Sequence, residues 1–235
     1  MTRTPLILSW SGGKDSALAL AALRRDARYE VVALLTAVTR EYDRISIHGA
    51  RRSLLDAQAA ALRLPVQEIT LSPQSTNDAY EVAFCSALES ARRRYPDVQH
   101  VAFGDLFLED VRSYRERLLR RAGVEPLFPL WGMDTTLLAR QFVRDGFVAH
   151  LVCVDTQQLD ASFAGRRFDD ALLADLPASV DPCGERGEFH TFVSAGPIFS
   201  TPLSVTRGTT VLRDERFAYS DLMPSERMLD ARLDA

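Results

Sequence analysis

Leu6-Ile7-Leu8-Ser9-Trp10-Ser11-Gly12-Gly13-Lys14-Asp15-Ser16 runs from an apolar stretch through a glycine turn into a helical pattern. A short apolar run closed by a turn reads as a buried strand, Leu6–Ser9. Asp15–Arg25, built from Ala, Leu and Arg, reads as the helix that follows. A glycine-rich turn between a strand and a helix is where phosphates bind, on free backbone N–H groups and a helix N-terminus. Lys14 is the only lysine; the other 27 of the 28 basic residues are arginine. A compact ammonium on a flexible stem fits among phosphate oxygens where a planar guanidinium does not always fit.

Outward from this stretch the same alternation repeats. Strands are predicted over Val31–Val38, Val66–Leu71, His100–Phe103 and Glu125–Leu130, with helices over Gly49–Leu62, Asn77–Tyr95 and Leu108–Ala122. Apolar strands separated by helices give an α/β fold, a doubly wound parallel five-stranded sheet covered on both faces. Ligands of such sheets bind at the carboxyl ends of the strands. The Ser11–Ser16 turn, the Thr39–Gly49 loop and Gly104-Asp105 all follow strands and should share that edge. Beyond Leu130 the pattern changes. A helix over Thr135–Asp145, a strand over Phe147–Asp155, a short helix over Phe168–Asp175 and a Gly/Pro/Asp loop over Val180–Gly187 lead into strands at Phe189–Val193, Leu203–Thr206 and Thr210–Arg213. Gly208-Thr209 reads as a hairpin turn. The division expected is a first domain, 1–130, carrying the Ser11–Ser16 turn, and a smaller C-terminal α+β domain, 131–235, with a loose tail or packed terminal turn from Pro224.

Composition narrows the function classes. The chain is 46% hydrophobic and 26% charged with net charge -4, which suits a soluble globular protein and gives no basic field for nucleic acid or membrane surfaces. Its arginine clusters are interrupted by acids and read as solvated helix faces. Cys85, Cys153 and Cys183 form no CxxC pair, so zinc and iron–sulfur sites are not expected, and a reducing, cytoplasmic location is. No leader-like segment opens the chain, and no apolar run approaches the ~20 residues of a membrane span. Cys85 and Cys153 read as core, Trp131 as packing at the domain junction, and Asp110 as surface charge.

Ser11–Ser16 is neither a Walker A loop, since Asp15 follows the lysine, nor a Gly-x-Gly-x-x-Gly fingerprint. Ser-Gly-Gly-x-Asp-Ser after a first strand resembles the pyrophosphatase loop of the ATP-pyrophosphatase (adenine nucleotide alpha-hydrolase) superfamily. The resemblance implies a HUP-type fold that cleaves ATP between the α- and β-phosphates. In that picture Gly12 and Gly13 let the backbone approach the phosphates, Ser11 and Ser16 donate hydroxyls, and Lys14 charges the leaving pyrophosphate. Asp15 caps the helix or, with Asp105, holds Mg2+. His48 and Gly104 would contact the nucleotide or substrate; a satisfied loop histidine is the equal alternative for His48.

The second dense cluster is Asp181-Pro182-Cys183-Gly184-Glu185-Arg186-Gly187-Glu188-Phe189-His190-Thr191. On a strand Glu188 and His190 share a face. Chemistry alone leaves an acidic turn entering a hairpin as an equal reading. Gly-Glu-x-Gly-Glu-Phe-His-Thr resembles the Gly-Glu-x-Gly-Glu-Tyr-Glu-Thr signature of diphthine–ammonia ligases, in a histidine variant that looks like a bacterial branch of that family. Residues 103–112 and Pro129-Leu130-Trp131 resemble further segments of it. The resemblance implies a ligase that adenylates a carboxylate and lets ammonia displace AMP, with ATP and Mg2+. Lys14, Asp15, Glu185 and Glu188 would be catalytic; Gly184, Glu185, Glu188, His190 and Thr191 would meet the substrate. Expected partners are a small-molecule or protein carboxylate and ammonia, with no membrane and no nucleic acid, and a homodimer left open. Alternatives are another acceptor, such as a corrinoid precursor or an RNA base, or a non-catalytic adenine-nucleotide sensor. The paired cysteines of tRNA thiolases are missing. Cys183-Gly184 echoes sulfonucleotide reductases, and Cys183 is a candidate nucleophile without an assigned base.

Overall fold

The computed structural model describes residues 2–225. Strand β1 (Thr4–Ser9) lies at the centre of the first sheet, between β2 (Tyr29–Thr39) and β5 (His100–Ala102). All its neighbours are parallel, and Leu6, Ile7 and Leu8 are fully buried. Alternation sends Leu6 and Leu8 to one face and Ile7 to the other, so both faces need covers. Helices α1 (Lys14–Arg25) and α2 (Arg52–Leu62) cover the first through Leu20, Leu54 and Leu55. Helices α3 (Asn77–Arg94) and α4 (Glu109–Arg121) cover the second through Phe84, Leu88 and Leu119. Strand β4 (Val66–Leu71) pairs with β2, and β6 (Glu125–Leu127) with β5, giving the parallel order β4-β2-β1-β5-β6. This is the doubly wound α/β arrangement that the sequence predicts.

The first sheet carries one strand more than predicted. β3 (Arg44–Ile45) folds back antiparallel onto Val38 and Thr39, on the edge that β1 has vacated after Leu35. Two residues are too few to leave a periodic signal. The strand predicted over Glu125–Leu130 stops at Leu127, because Pro129 begins a turn. The helix predicted from Gly49 starts only at Arg52, since Gly49 turns with φ 72°.

After α5 (Thr135–Arg144) the chain builds a second, antiparallel sheet. Its order is β8 (Phe189–Ala195), β7 (Val148–Asp155), β10 (Phe217–Pro224), β9 (Val205–Arg213), with the short helix α6 (Asp170–Asp175) beside it. The predicted hairpin at Gly208-Thr209 is absent: β9 runs through both residues. The turn lies instead at Asp214-Glu215, both with φ near +50°, and opens β10, for which no strand was predicted. Ser204–Ser225 closes the far end of this pair; the tail expected from Pro224 otherwise lies outside the described residues. Phe192, Val193 and Ala218 of this sheet join the same apolar cluster as Leu6, Leu8 and Leu20 of the first. Cys153 is buried as expected, but Cys85 is only half-buried. Trp131 packs against Phe128, with the Arg112 guanidinium 4.7 Å above its ring.

Candidate active site

Ser11–Ser16 leaves the carboxyl end of β1, and β8 of the second sheet lies against it. Val193 N–H donates to the Gly12 carbonyl (2.9 Å), and Lys14 N–H donates to Thr191 Oγ1 (3.0 Å). Gln58, fully buried on α2, donates to both the Gly12 carbonyl (3.1 Å) and the Val193 carbonyl (2.7 Å), and accepts from Trp10 Nε1 (2.9 Å). The glycines are required by this packing. A Cβ on Gly12, where φ is +79°, would stand 2.9 Å from Gln58 Oε1. One on Gly13 would stand 3.0 Å from the Thr191 carbonyl oxygen. Inside the turn, Gly13 N–H donates to Ser11 Oγ (3.3 Å), Ser16 Oγ donates to the Gly13 carbonyl (2.9 Å), and the two serine hydroxyls lie 3.3 Å apart.

Lys14 is 2% exposed. Its Nζ donates to both Asp15 carboxylate oxygens (2.9 and 2.8 Å) and to the Cys183 carbonyl, and lies 5.6 Å from the centre of the Phe189 ring. Burial alone would lower its pKa; the Asp15 carboxylate, with Cys183 and Glu185 beside it, more than offsets burial and raises it. The loop that supplies the Cys183 carbonyl is pinned from within. Asp181 Oδ1 accepts from Cys183 N–H (2.9 Å) and Glu185 N–H (3.3 Å), and its Oδ2 accepts from Thr135 Oγ1 (2.7 Å). Glu188 is 1% exposed, and its two oxygens accept from Asp181 N–H (2.8 Å) and Arg186 N–H (2.9 Å). Glu188 therefore faces its own loop. Glu185 points across to the first sheet, where Oε1 accepts from Leu106 N–H (2.7 Å). Burial, only partly offset by that bond, raises its pKa to about 7. Gly184, with φ +68°, packs its Cα against Phe189.

Gly104 and Asp105 follow β5, on the same edge. A Cβ on Gly104 would meet the Asp15 carbonyl carbon at 2.8 Å, so this loop touches the first turn of α1. Asp105 Oδ2 is buried with no hydrogen-bond partner; Arg115 Nε stands 3.6 Å away. Burial raises the Asp105 pKa, against the pull of Arg115. Asp15, Asp105 and Glu185 each act electrostatically on another of the three. His48, from the β3–α2 loop, and His190, on β8, bring their rings to 4.5 Å. Burial lowers both: His190 to about 4, and His48 well below the usual histidine value. Every residue expected at the site thus gathers at this edge, with Glu188 turned inward. Asp110 is on the exposed first turn of α4, apart from it.

The Cys183 thiol is buried and donates to the Thr135 carbonyl (3.4 Å); burial pushes its pKa up to about 12. Burial therefore disfavours the thiolate that a nucleophile needs. Gln58, Asp181 and Arg115 were not singled out from the sequence. Gln58 had one signal: a lone amide in the apolar stripe Leu54-Leu55-Gln58-Ala61-Leu62 of α2. A cavity of about 850 Å³ adjoins the site across Ile45 and is lined by Tyr42, Arg44, Ile47, Arg213 and Tyr219, among others. Among the described residues no cluster of three His, Cys, Asp or Glu is placed to hold a metal, and no helix is long and apolar enough to cross a membrane.

A parallel β4-β2-β1-β5-β6 sheet with a Ser-Gly-Gly turn at the carboxyl end of its central strand defines an α/β protein of the adenine nucleotide alpha-hydrolase-like, HUP-type class. Comparison with known families narrows this. Residues 4–126 match the model of the diphthamide synthase N-terminal domain, and residues 134–220 that of the diphthamide synthase C-terminal domain. The chain belongs to the diphthamide synthase family. It is 26% identical to a diphthine–ammonia ligase of Schizosaccharomyces pombe over 213 residues, 83% of this chain and 35% of that protein. It is 25% identical to one from Homo sapiens over 222 residues, 86% of this chain and 83% of that one. With one from Danio rerio it shares 26% over 229 residues, 88% and 89% of the two chains. The match therefore spans about a third of the fission-yeast protein and most of the vertebrate ones.

Proposed function

We propose that this chain is an ATP-dependent carbon–nitrogen ligase. It joins ammonia to a carboxylate through an acyl-adenylate and releases AMP and pyrophosphate. The observation that carries the reading is the Ser11–Ser16 turn at the strand edge, backed by the Gly-Glu loop of a second sheet, in a chain whose relatives are named diphthine–ammonia ligases. Residues 1–130 bind ATP, and 131–235 supply much of the acceptor site.

The roles follow from the contacts. The N-terminus of α1 has Gly13 at its cap, which brings no side chain of its own; Thr191 Oγ1 takes the Lys14 N–H, and the positive end of the helix favours a phosphate. Ser11 and Ser16 add hydroxyls, and Lys14 adds charge where the pyrophosphate leaves. Asp105 has a buried oxygen with no hydrogen bond, only the Arg115 guanidinium 3.6 Å away, which suits a hard, oxygen-liganded cation. Asp15 and Asp105 would hold Mg2+, which neutralises charge between the phosphates when bound. Mg2+ needs only one or two carboxylates when phosphates complete its shell. Positioning and charge neutralisation supply most of the rate in such transfers. Glu185 reaches from the second sheet to Leu106 and fixes the acceptor loop over the nucleotide edge. With its pKa near 7 it also accepts the proton that the attacking nitrogen loses. His48 and His190, both neutral, line the acceptor side. Glu188 positions the loop rather than meeting substrate.

The test is a screen of carboxylates with ATP and ammonium, read as AMP and pyrophosphate. The reading expects at least one acceptor to give both products, in amounts that depend on ammonium. ADP and inorganic phosphate as the products would overturn it. ATP binding without turnover on any acceptor would favour a nucleotide sensor.

A further inference from the structure

The group proposed to neutralise the pyrophosphate is seated elsewhere in this structure. Lys14 Nζ, an ammonium on a stem, lies in a closed cradle. Both Asp15 carboxylate oxygens lie within 2.9 Å, the Cys183 carbonyl accepts from it, and the Phe189 face lies 5.6 Å below. A carboxylate, a carbonyl and an aromatic face are the three kinds of partner that bind an ammonium ion, by charge, by hydrogen bond and by cation–π attraction.

Two of its three walls are built independently of the lysine; the third, the Asp15 carboxylate, gives both oxygens to Lys14 Nζ here and would share them between Mg2+ and the ion. The Cys183 carbonyl belongs to a loop held by Asp181 and Glu188, each accepting two backbone N–H bonds. Phe189 is 2% exposed and begins β8. The Lys14 backbone is fixed by Thr191 Oγ1. The Lys14 tip is held by the Asp15 carboxylate and the Cys183 carbonyl, and its flexible stem lets it be drawn off them.

We propose that this cradle is the binding site for the ammonium ion. The Lys14 side chain fills it until a nucleotide draws the side chain onto its phosphates. The inference rests on the ligase reading for its ligand, and it makes ammonium bind after ATP. It differs from the expectation that Glu185 and Glu188 hold the ion, since Glu188 spends both oxygens on its own loop.

Ammonium chloride is titrated calorimetrically into the full chain, against sodium chloride at equal ionic strength. The nucleotide-free wild type should show no specific binding. Addition of α,β-methylene-ATP should create one ammonium site. Lys14→Met should show the site without nucleotide, and Asp15→Asn added to Lys14→Met should weaken it at least tenfold. Ammonium binding to the nucleotide-free wild type as tightly as to Lys14→Met would overturn the proposal. So would a folded Lys14→Met variant, or a nucleotide-loaded wild type, that binds none. Failure of α,β-methylene-ATP to bind at all would instead count against the ligase reading, and the Lys14→Met titration would still decide the cradle.

Discussion

Glu185 and Glu188 sit three residues apart in one loop, and their surroundings give them opposite duties. Glu188 is buried with each oxygen on a backbone N–H, so its removal leaves two buried donors without acceptors. Hydrogen bonds to a charged group contribute about 1.5–3 kcal/mol each, so Glu188→Ala should cost roughly 3–6 kcal/mol, read as a lower urea midpoint. Glu185 accepts one such bond, from Leu106 N–H on Oε1. Its pKa of about 7 in the folded chain lies above the ordinary 4.5. Between those two values the folded protein binds more protons than the unfolded one, so this group's contribution to stability falls as pH rises through that window. The wild type should lose stability between pH 5 and pH 8 relative to Glu185→Gln. Parallel urea midpoints for the two proteins across that range would contradict the environment assigned to Glu185.

At the scale of elements, the close approach of the β5–α4 loop to the start of α1 holds the carboxyl edge of the first sheet together. Gly104 makes it, since a Cβ there would collide with the Asp15 backbone at 2.8–2.9 Å. Backbone cannot swing away as a side chain can, and overpacking costs about 1–3 kcal/mol. Gly104→Ala should therefore lower the melting temperature and raise the KM for ATP more than it lowers kcat. A change in kcat alone would place Gly104 away from the nucleotide. Elements of this kind differ in how far sequence reveals them. The Leu6–Ser9 run and the Ser11–Ser16 turn were legible because local residues fix them. β10 and β3 were not. β3 is two residues held by partners far off in the chain, and β10 depends on a turn made by Asp214-Glu215, where neither residue is the expected glycine. The turn predicted at Gly208-Thr209 is instead an irregularity within β9: β10 pairs with it on both sides, Ser220 with Thr210 and Leu222 with Arg207, and the register shifts between them. Glu188 was legible as part of a motif but not in its direction, because the loop it organises closes only in three dimensions.

At the scale of the whole molecule, the two sheets meet in one apolar cluster and share one site. The first sheet presents the glycine turn, and the second backs it through Thr191, Val193 and the Cys183 carbonyl. Gln58 joins all three pieces, bonding to Trp10, Gly12 and Val193 at once. Arg44 and Arg51 make a second tie by gripping Asp221 of β10. The account requires both sheets, since the turn is shaped by β8 and roofed by the loop before it. Its central claim is that this turn holds a triphosphate for attack at the innermost phosphorus. A crystal of the full chain with α,β-methylene-ATP tests that claim most directly. The account predicts the β- and γ-phosphates on the N–H and hydroxyl groups of Ser11–Ser16, with Lys14 Nζ moved from the Cys183 carbonyl onto them. Nucleotide bound elsewhere, with Lys14 still on Cys183, would contradict it.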